Sequence, residues 1–422
     1  MSRRVAAAAA AVVAALAVLA SCIHQEAPAG AAPAPAAVSE GPQPQVRIGL
    51  QVGASGIALG GSAPLTVTEP DGTPVARIAA GEAWRVVVAG QGLQLVSSTG
   101  RAASPTDGLS VVAENADDPV RVGRRDYRGT VDIVRDRTGL TAVNRLGLEA
   151  YLGGVVGGEM GRRDSSDMEA LRAQAVVSRT YALRNMGRWR AEGFDFYATV
   201  SDQVYGGVQS ENPLALTAVR DTRGEVITSG GAPIDAFFFS TCGGRTADGT
   251  EAFRGAARPY LRSVADVDGG GVPWCSLSPR FHWRDEWSGE ALRSILARTL
   301  RETSLARGDI GTIRDVSTEG RTASGRVASL RIVTSSGTVT ADGPQIRRVL
   351  QTTAGDILRS TRFELRETTR GGAVTHLVAE GMGAGHGVGM CQWGAVGRAR
   401  AGQRYPEILA AYFPGTELQH AY

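Results

Sequence analysis

Residues Leu146–Leu183 read LGLEAYLGGVVGGEMGRRDSSDMEALRAQAVVSRTYAL, and the rest of the chain is best understood from this stretch outward. One carboxylate, Glu159, stands between a glycine-rich turn and a helix. Ser166 and Glu169 have capping-box spacing, Met168, Leu171, Ala175 and Ala182 recur at helical intervals, and Asn185 with Gly187 supplies a stop. Arg172 and Arg179 lie two turns apart and share one face of that helix. Gly153, Gly154, Gly157, Gly158 and Gly161 leave little side-chain bulk around Glu159, so a large substrate can approach it. The layout reads as an active site, the plainer alternative being a surface acid beside surface bases.

Upstream, the segments VRIGLQV, PLTVTEP, PVARIAA, AWRVVVAG, LQLVSS, YRGTVDIVRD and GLTAVNRL alternate or run apolar between turn residues, with Asp71-Gly72 as a hairpin signal. Residues 46–144 are therefore expected to form a β-rich N-terminal domain. Residues 145–422 read as a mixed α/β core, within which 288–375 is a smaller α+β insertion. The fold class expected is α+β, with the N-terminal β-rich domain packed on the core.

Arg3 and Arg4 precede an apolar run from Val5 to Ala20 that ends in Leu19-Ala20-Ser21-Cys22. Residues 1–22 read as a signal peptide whose end resembles the lipobox of bacterial lipoproteins, making Cys22 a lipidation site and membrane anchor. Residues 23–45 are rich in Ala, Pro and Gly and read as a tether too poor in apolar side chains to order itself. The expected location is the extracytoplasmic face of the cell envelope. A net charge of +3 over 422 residues does not call for a nucleic-acid partner.

The phrases LEAYLGGVVGGEM and EALRAQAVVSRTYAL, then GGRT, then GHGVGMCQWGA in that order resemble the stage II sporulation protein D family, which includes the amidase enhancers of bacterial cell walls. Members of its catalytic branch are lytic transglycosylases acting on peptidoglycan glycan strands stripped of stem peptides. The resemblance implies that Glu159 is the catalytic acid and base, with no cofactor. It also implies substrate contacts for Arg172 and Arg179, for Asp202, Gln203 and Tyr205 in SDQVYGG, and for His386 and Gln392 in the glycine-alternating loop. One departure stands out: Gly161 occupies the place where the family usually has proline.

Glycosidases ordinarily use two carboxylates. A lytic transglycosylase manages with one, because the C6 hydroxyl of the sugar, rather than water, attacks C1 and closes a 1,6-anhydro ring. Such an acid must be partly protonated near neutral pH, and Val155, Val156 and Met160 offer apolar surroundings. The rival in a different class is a glycan-binding enhancer that recruits or activates a cell-wall amidase. A plain structural lipoprotein would leave the Glu159 and His386 motifs unexplained.

Export favours disulfides. Family members carry cysteines at the places of Cys242 and Cys275, so these two are expected to pair, leaving Cys391 free where the family usually has serine. Two alternatives remain: a zinc site of Cys242, Cys275, Cys391 and His386, which lacks the close C-x₂₋₄-C hook, and a Cys391 nucleophile served by a histidine base.

Overall fold

The computed structural model describes residues 42–422 apart from 104, 254 and 256. The expected signal peptide with Cys22, and most of the tether, lie outside the described residues.

Alternation makes Gln45–Ala54 a strand, with Val46 and Ile48 turned inward. It pairs antiparallel with Leu140–Gly147, Val46 opposite Leu146, and Leu140–Gly147 pairs in turn with Thr130–Arg135. These belong to a seven-stranded sheet, and a second, five-stranded sheet completes the N-terminal β-rich part. The Asp71-Gly72 turn closes the hairpin of Leu65–Thr68 and Pro74–Ile78: Asp71 accepts the Thr73 N–H at 2.9 Å and Gly72 takes φ of +93°.

Strand Leu140–Gly147 runs directly into helix α1, Leu148–Met160. The glycine-rich segment expected as a turn is therefore the body of a helix. A short 3₁₀ turn capped by Asp164 leads to α2, Met168–Asn185. The expected capping box is absent: the N-cap is Asp167, and Glu169 instead accepts the Tyr405 N–H at 2.8 Å. Helix α3, Pro213–Asp221, starts where Asn212 accepts the Ala215 N–H and proline fills the first turn.

Both sheets and these helices share one apolar core, from Val46 to Phe413. After the short α4, Gly249–Ala252, a second core runs from Trp283 to Ala379. It is built on α5, Gly289–Glu302, a sheet of His282–Ser288, Ala373–Met382 and Phe363–Arg370, a further three-stranded sheet, and α6, Gln345–Val349. The chain then returns to the first core as α7, Gln392–Arg400, and α8, Tyr405–Tyr412. The fold is α+β, and among the described residues no helix is long and apolar enough to cross a membrane.

Glycines in α1 lower its intrinsic helicity by about 1 kcal/mol each relative to alanine. They persist because the segment 202–210 lies against the helix backbone. A Cβ at Gly157 would stand 1.8 Å from the Ser210 carbonyl oxygen, and one at Gly154 would stand 2.7 Å from the Tyr205 ring. Gly157→Ala is thus expected to lose stability by about 1–3 kcal/mol despite alanine's better helix propensity. Gly269→Ala, at a site with nothing within 4 Å, should change stability by no more than about 0.5 kcal/mol. Urea titration of the two variants checks both.

Candidate active site

Glu159 sits in the last turn of α1, half-buried. The glycine face of the helix brings the 202–210 segment close enough for the Val204 N–H to donate to Glu159 Oε1 at 2.8 Å. Gln392, the first residue of α7, places its amide nitrogen 3.5 Å from Glu159 Oε2 and 3.4 Å from Gln174 Oε1. Below them, the Gln174 amide donates to Ser178 Oγ at 2.9 Å and the Gln203 amide to the Ser178 carbonyl at 3.3 Å. Glu159 thus tops a buried polar floor built from α2, α7 and the 202–210 segment. Gly161 ends α1 at φ of +67°, a conformation closed to proline, whose ring fixes φ near −65°.

Several expected substrate contacts prove to be framework. Arg179 is fully buried and makes a two-point ion pair with Glu149, 2.8 and 2.9 Å, while also donating to the Glu225 and Val219 carbonyls. Burial alone would push the Glu149 carboxyl up, but Arg179 and the Tyr422 hydroxyl outweigh it and hold it below its ordinary range. Arg172 shares the Arg179 face as expected, yet it pairs with Asp221 at 2.7 Å and with Glu169, fastening α2 to the end of α3. Asp202 is buried and receives the Tyr197 N–H at 2.9 Å, the Trp189 indole at 2.8 Å and the Tyr181 hydroxyl at 3.2 Å, with Arg188 at 3.5 Å. Burial pushes its pKa upward against those donors. Tyr205 is core, its ring tilted against those of Tyr127 and Tyr151 and its hydroxyl donating to Asn144 Oδ1 at 2.9 Å. Gln203 is wholly buried, so it too is a support and not a sugar contact.

His386 is corrected as well. The Val388 N–H faces its Nδ1 at 3.1 Å, which leaves the proton on Nε2 to be donated to the Phe238 carbonyl at 2.9 Å. Its ring lies among Phe237, Phe239 and Phe253. The glycines at 383, 385, 387 and 389 all have positive φ, and those at 383, 385 and 389 let the loop interlock with residues 237–242. The expected Cys242–Cys275 bridge is not formed: the sulfurs are 3.4 Å apart, against about 2.05 Å in a disulfide, and among the described residues Cys242, Cys275 and Cys391 are free and buried. Cys391 does not stand apart, because its sulfur accepts the Cys242 N–H at 3.1 Å. With both ring nitrogens engaged by backbone, His386 is not placed as a base for Cys391.

Sequence reasoning missed Arg163 and Trp393. The Arg163 guanidinium stacks over the Trp393 ring at 4.2 Å, joining the segment after Glu159 to the residue after Gln392. Arg163 Nε is buried with no hydrogen-bond partner, and burial pulls the guanidinium pKa down. Their sequence signal was adjacency to the two quoted motifs. A separate open cavity of about 820 Å³, lined by Trp283, Arg321, Arg362 and Phe363 among others, belongs to the second core and does not include Glu159.

A family model described as stage II sporulation protein matches residues 136–229, and one described as a domain of unknown function matches residues 275–389. The stage II sporulation protein D of Bacillus subtilis is 31% identical over 300 residues, 68% of this chain and 78% of that protein. An amidase enhancer of the same organism is 30% identical, over 63% of this chain and 40% of its own length. An uncharacterized protein of Brachyspira hyodysenteriae is 33% identical, over 69% of this chain and 72% of its own.

Removing one partner of a buried ion pair leaves the other charge uncompensated. Arg179→Ala is therefore expected to cost about 3–5 kcal/mol of folding stability in chemical denaturation. Any affinity for glycan should be unchanged once folding is restored at low temperature, and a specific loss of glycan binding would return Arg179 to the substrate.

Proposed function

The chain belongs to the stage II sporulation protein D family, and we propose that it is a lytic transglycosylase cleaving peptide-free peptidoglycan glycan strands in cell-wall remodelling. The observation that carries this reading is Glu159 itself, a half-buried carboxylate at the end of α1 with the Val204 N–H and the Gln392 amide directed at it. Glu149, at the opposite end of α1, is committed to Arg179, and Asp202 to four donors. A one-carboxylate site suits a reaction in which Glu159 first protonates the leaving glycosidic oxygen. As base it then takes the proton of the C6 hydroxyl, which attacks C1 and closes the 1,6-anhydro ring. The Val204 N–H and the Gln392 amide fix the direction of the carboxylate. Arg163 and Trp393 offer a donor and an apolar ring face at the same rim, a pairing suited to a sugar.

The second reading is a glycan-binding enhancer of a cell-wall amidase, favoured by the amidase enhancer among the relatives. Incubating purified protein with peptide-free strands should yield products ending in 1,6-anhydro-N-acetylmuramic acid by mass spectrometry. Glu159→Gln should lower turnover by about 10²- to 10⁴-fold while retaining binding. An equally active Glu159→Gln protein removes Glu159 from the chemistry, and wild-type protein that cuts no strand yet stimulates an amidase establishes the enhancer.

The proposal includes export and anchoring through a lipid on Cys22, the residue after Leu19-Ala20-Ser21. Cys22→Ser should shift the protein out of the membrane fraction or leave its signal uncleaved, and a wild-type protein carrying no lipid mass contradicts the anchor.

A further inference from the structure

Away from Glu159, four buried side chains converge from distant parts of the chain. Cys242 follows the strand Phe238–Phe239, Asp266 lies in the loop beyond α4, Cys275 lies in a 3₁₀ turn, and Cys391 is the N-cap of α7. Cys242 Sγ is 3.4 Å from Cys275 Sγ and 3.2 Å from Asp266 Oδ2, and the four donor atoms lie within 4.8 Å of one another. Around a tetrahedral zinc ion with Zn–S of about 2.3 Å, sulfurs stand about 3.7 Å apart. Small side-chain shifts therefore suffice to place all four donors around one ion.

We propose that Cys242, Asp266, Cys275 and Cys391 bind a structural Zn²⁺ as three thiolates and one carboxylate. Binding releases three thiol protons and changes no oxidation state. Three features of the surroundings fit an ion better than a disulfide. A bridge would use two sulfurs and leave the third thiol and the carboxylate facing it. The sulfurs are already acceptors of backbone N–H groups, Cys242 from Gly244 at 3.2 Å and Cys391 from Cys242 at 3.1 Å and Gly394 at 3.2 Å. Such donors stabilise thiolates and fix their direction. Asp266 is itself oriented from behind, by Arg398 at 3.1 Å and the Tyr412 hydroxyl at 2.9 Å.

Charge makes the same point. Arg326 is buried beside Cys242, donates weakly to its carbonyl at 3.4 Å, and has two further nitrogens with no hydrogen-bond partner. With neutral thiols, Glu251 is the anion left to act on that guanidinium. Three thiolates, one carboxylate, a dication and the guanidinium groups of Arg326 and Arg398 sum to neutrality. A closed thiolate-rich set is a structural site, with no open position for a substrate. Asp266 takes the place the sequence suggested for His386, whose ring nitrogens are held by Val388 and Phe238. The ion would staple the loops that position Gln392, the residue next to Cys391, and it stands independently of the glycan reading.

The full chain, purified without chelator from zinc-supplemented culture, should contain one zinc per chain by elemental mass spectrometry. Apart from Cys22, three thiols should titrate, and only after denaturation with chelator, and zinc-edge X-ray absorption should report three sulfurs and one oxygen. Asp266→Asn should weaken zinc binding on the order of 10- to 100-fold in competition with a chromophoric chelator. The proposal is overturned by wild-type protein with no stoichiometric metal, by iron in place of zinc, by one free thiol with the other two cysteines joined, or by an imidazole in the zinc shell. Unchanged affinity in Asp266→Asn overturns the carboxylate ligand.

Discussion

The contact between α1 and the 202–210 segment is the constraint on which the site depends. Only a helix without side chains on that face lets another backbone come within reach, and that reach delivers the Val204 N–H to Glu159. The segment is held in turn by Asp202, which gathers donors from Trp189, Tyr197 and Tyr181, and by the hydroxyl of Tyr205 on Asn144 of the adjoining strand. The helix is weak by propensity and stands by its tertiary packing. The glycines that lower its local stability are the same residues that let the site close.

Ionisable groups near this contact divide into two kinds. Arg179 with Glu149, and Arg398 with Asp266, are buried pairs whose desolvation cost cancels much of their attraction, so their value lies in fixing where helices meet. Glu159 differs in being half-buried at the end of α1, with the Val204 N–H and the Gln392 amide among its partners.

Much of the fold was legible from the sequence because its signals are local. Alternation marked the strands of residues 46–144, and Asp71-Gly72 marked the hairpin between Leu65–Thr68 and Pro74–Ile78. The glycine run of α1 misled for a physical reason: propensity argues against helix there, and the opposing argument lies in residues some fifty positions downstream. The shared face of Arg172 and Arg179 was correctly read from periodicity. Their partners Asp221 and Glu149 were not, since nothing local encodes a contact across 49 or 30 residues. The grouping of Asp266 with three cysteines was invisible for the same reason, while Glu159 and Gln392, each inside a dense motif, were found and are brought together.

The second core enters and leaves the molecule through neighbouring strands. His282 lies opposite Met382 and Trp283 opposite Gly381 in one antiparallel pair, so the two ends of this unit are separated by a single inter-strand spacing of about 4.8 Å. Such a unit is topologically a plug. Replacing it with a tight hairpin, or with an unrelated module whose termini are equally close, would leave the path of the flanking chain unchanged. Its side chains are less separable than its chain path, because Arg326 and Arg362 of this unit donate to the Cys242 and Gly243 carbonyls of the first core, so any replacement must supply those contacts anew.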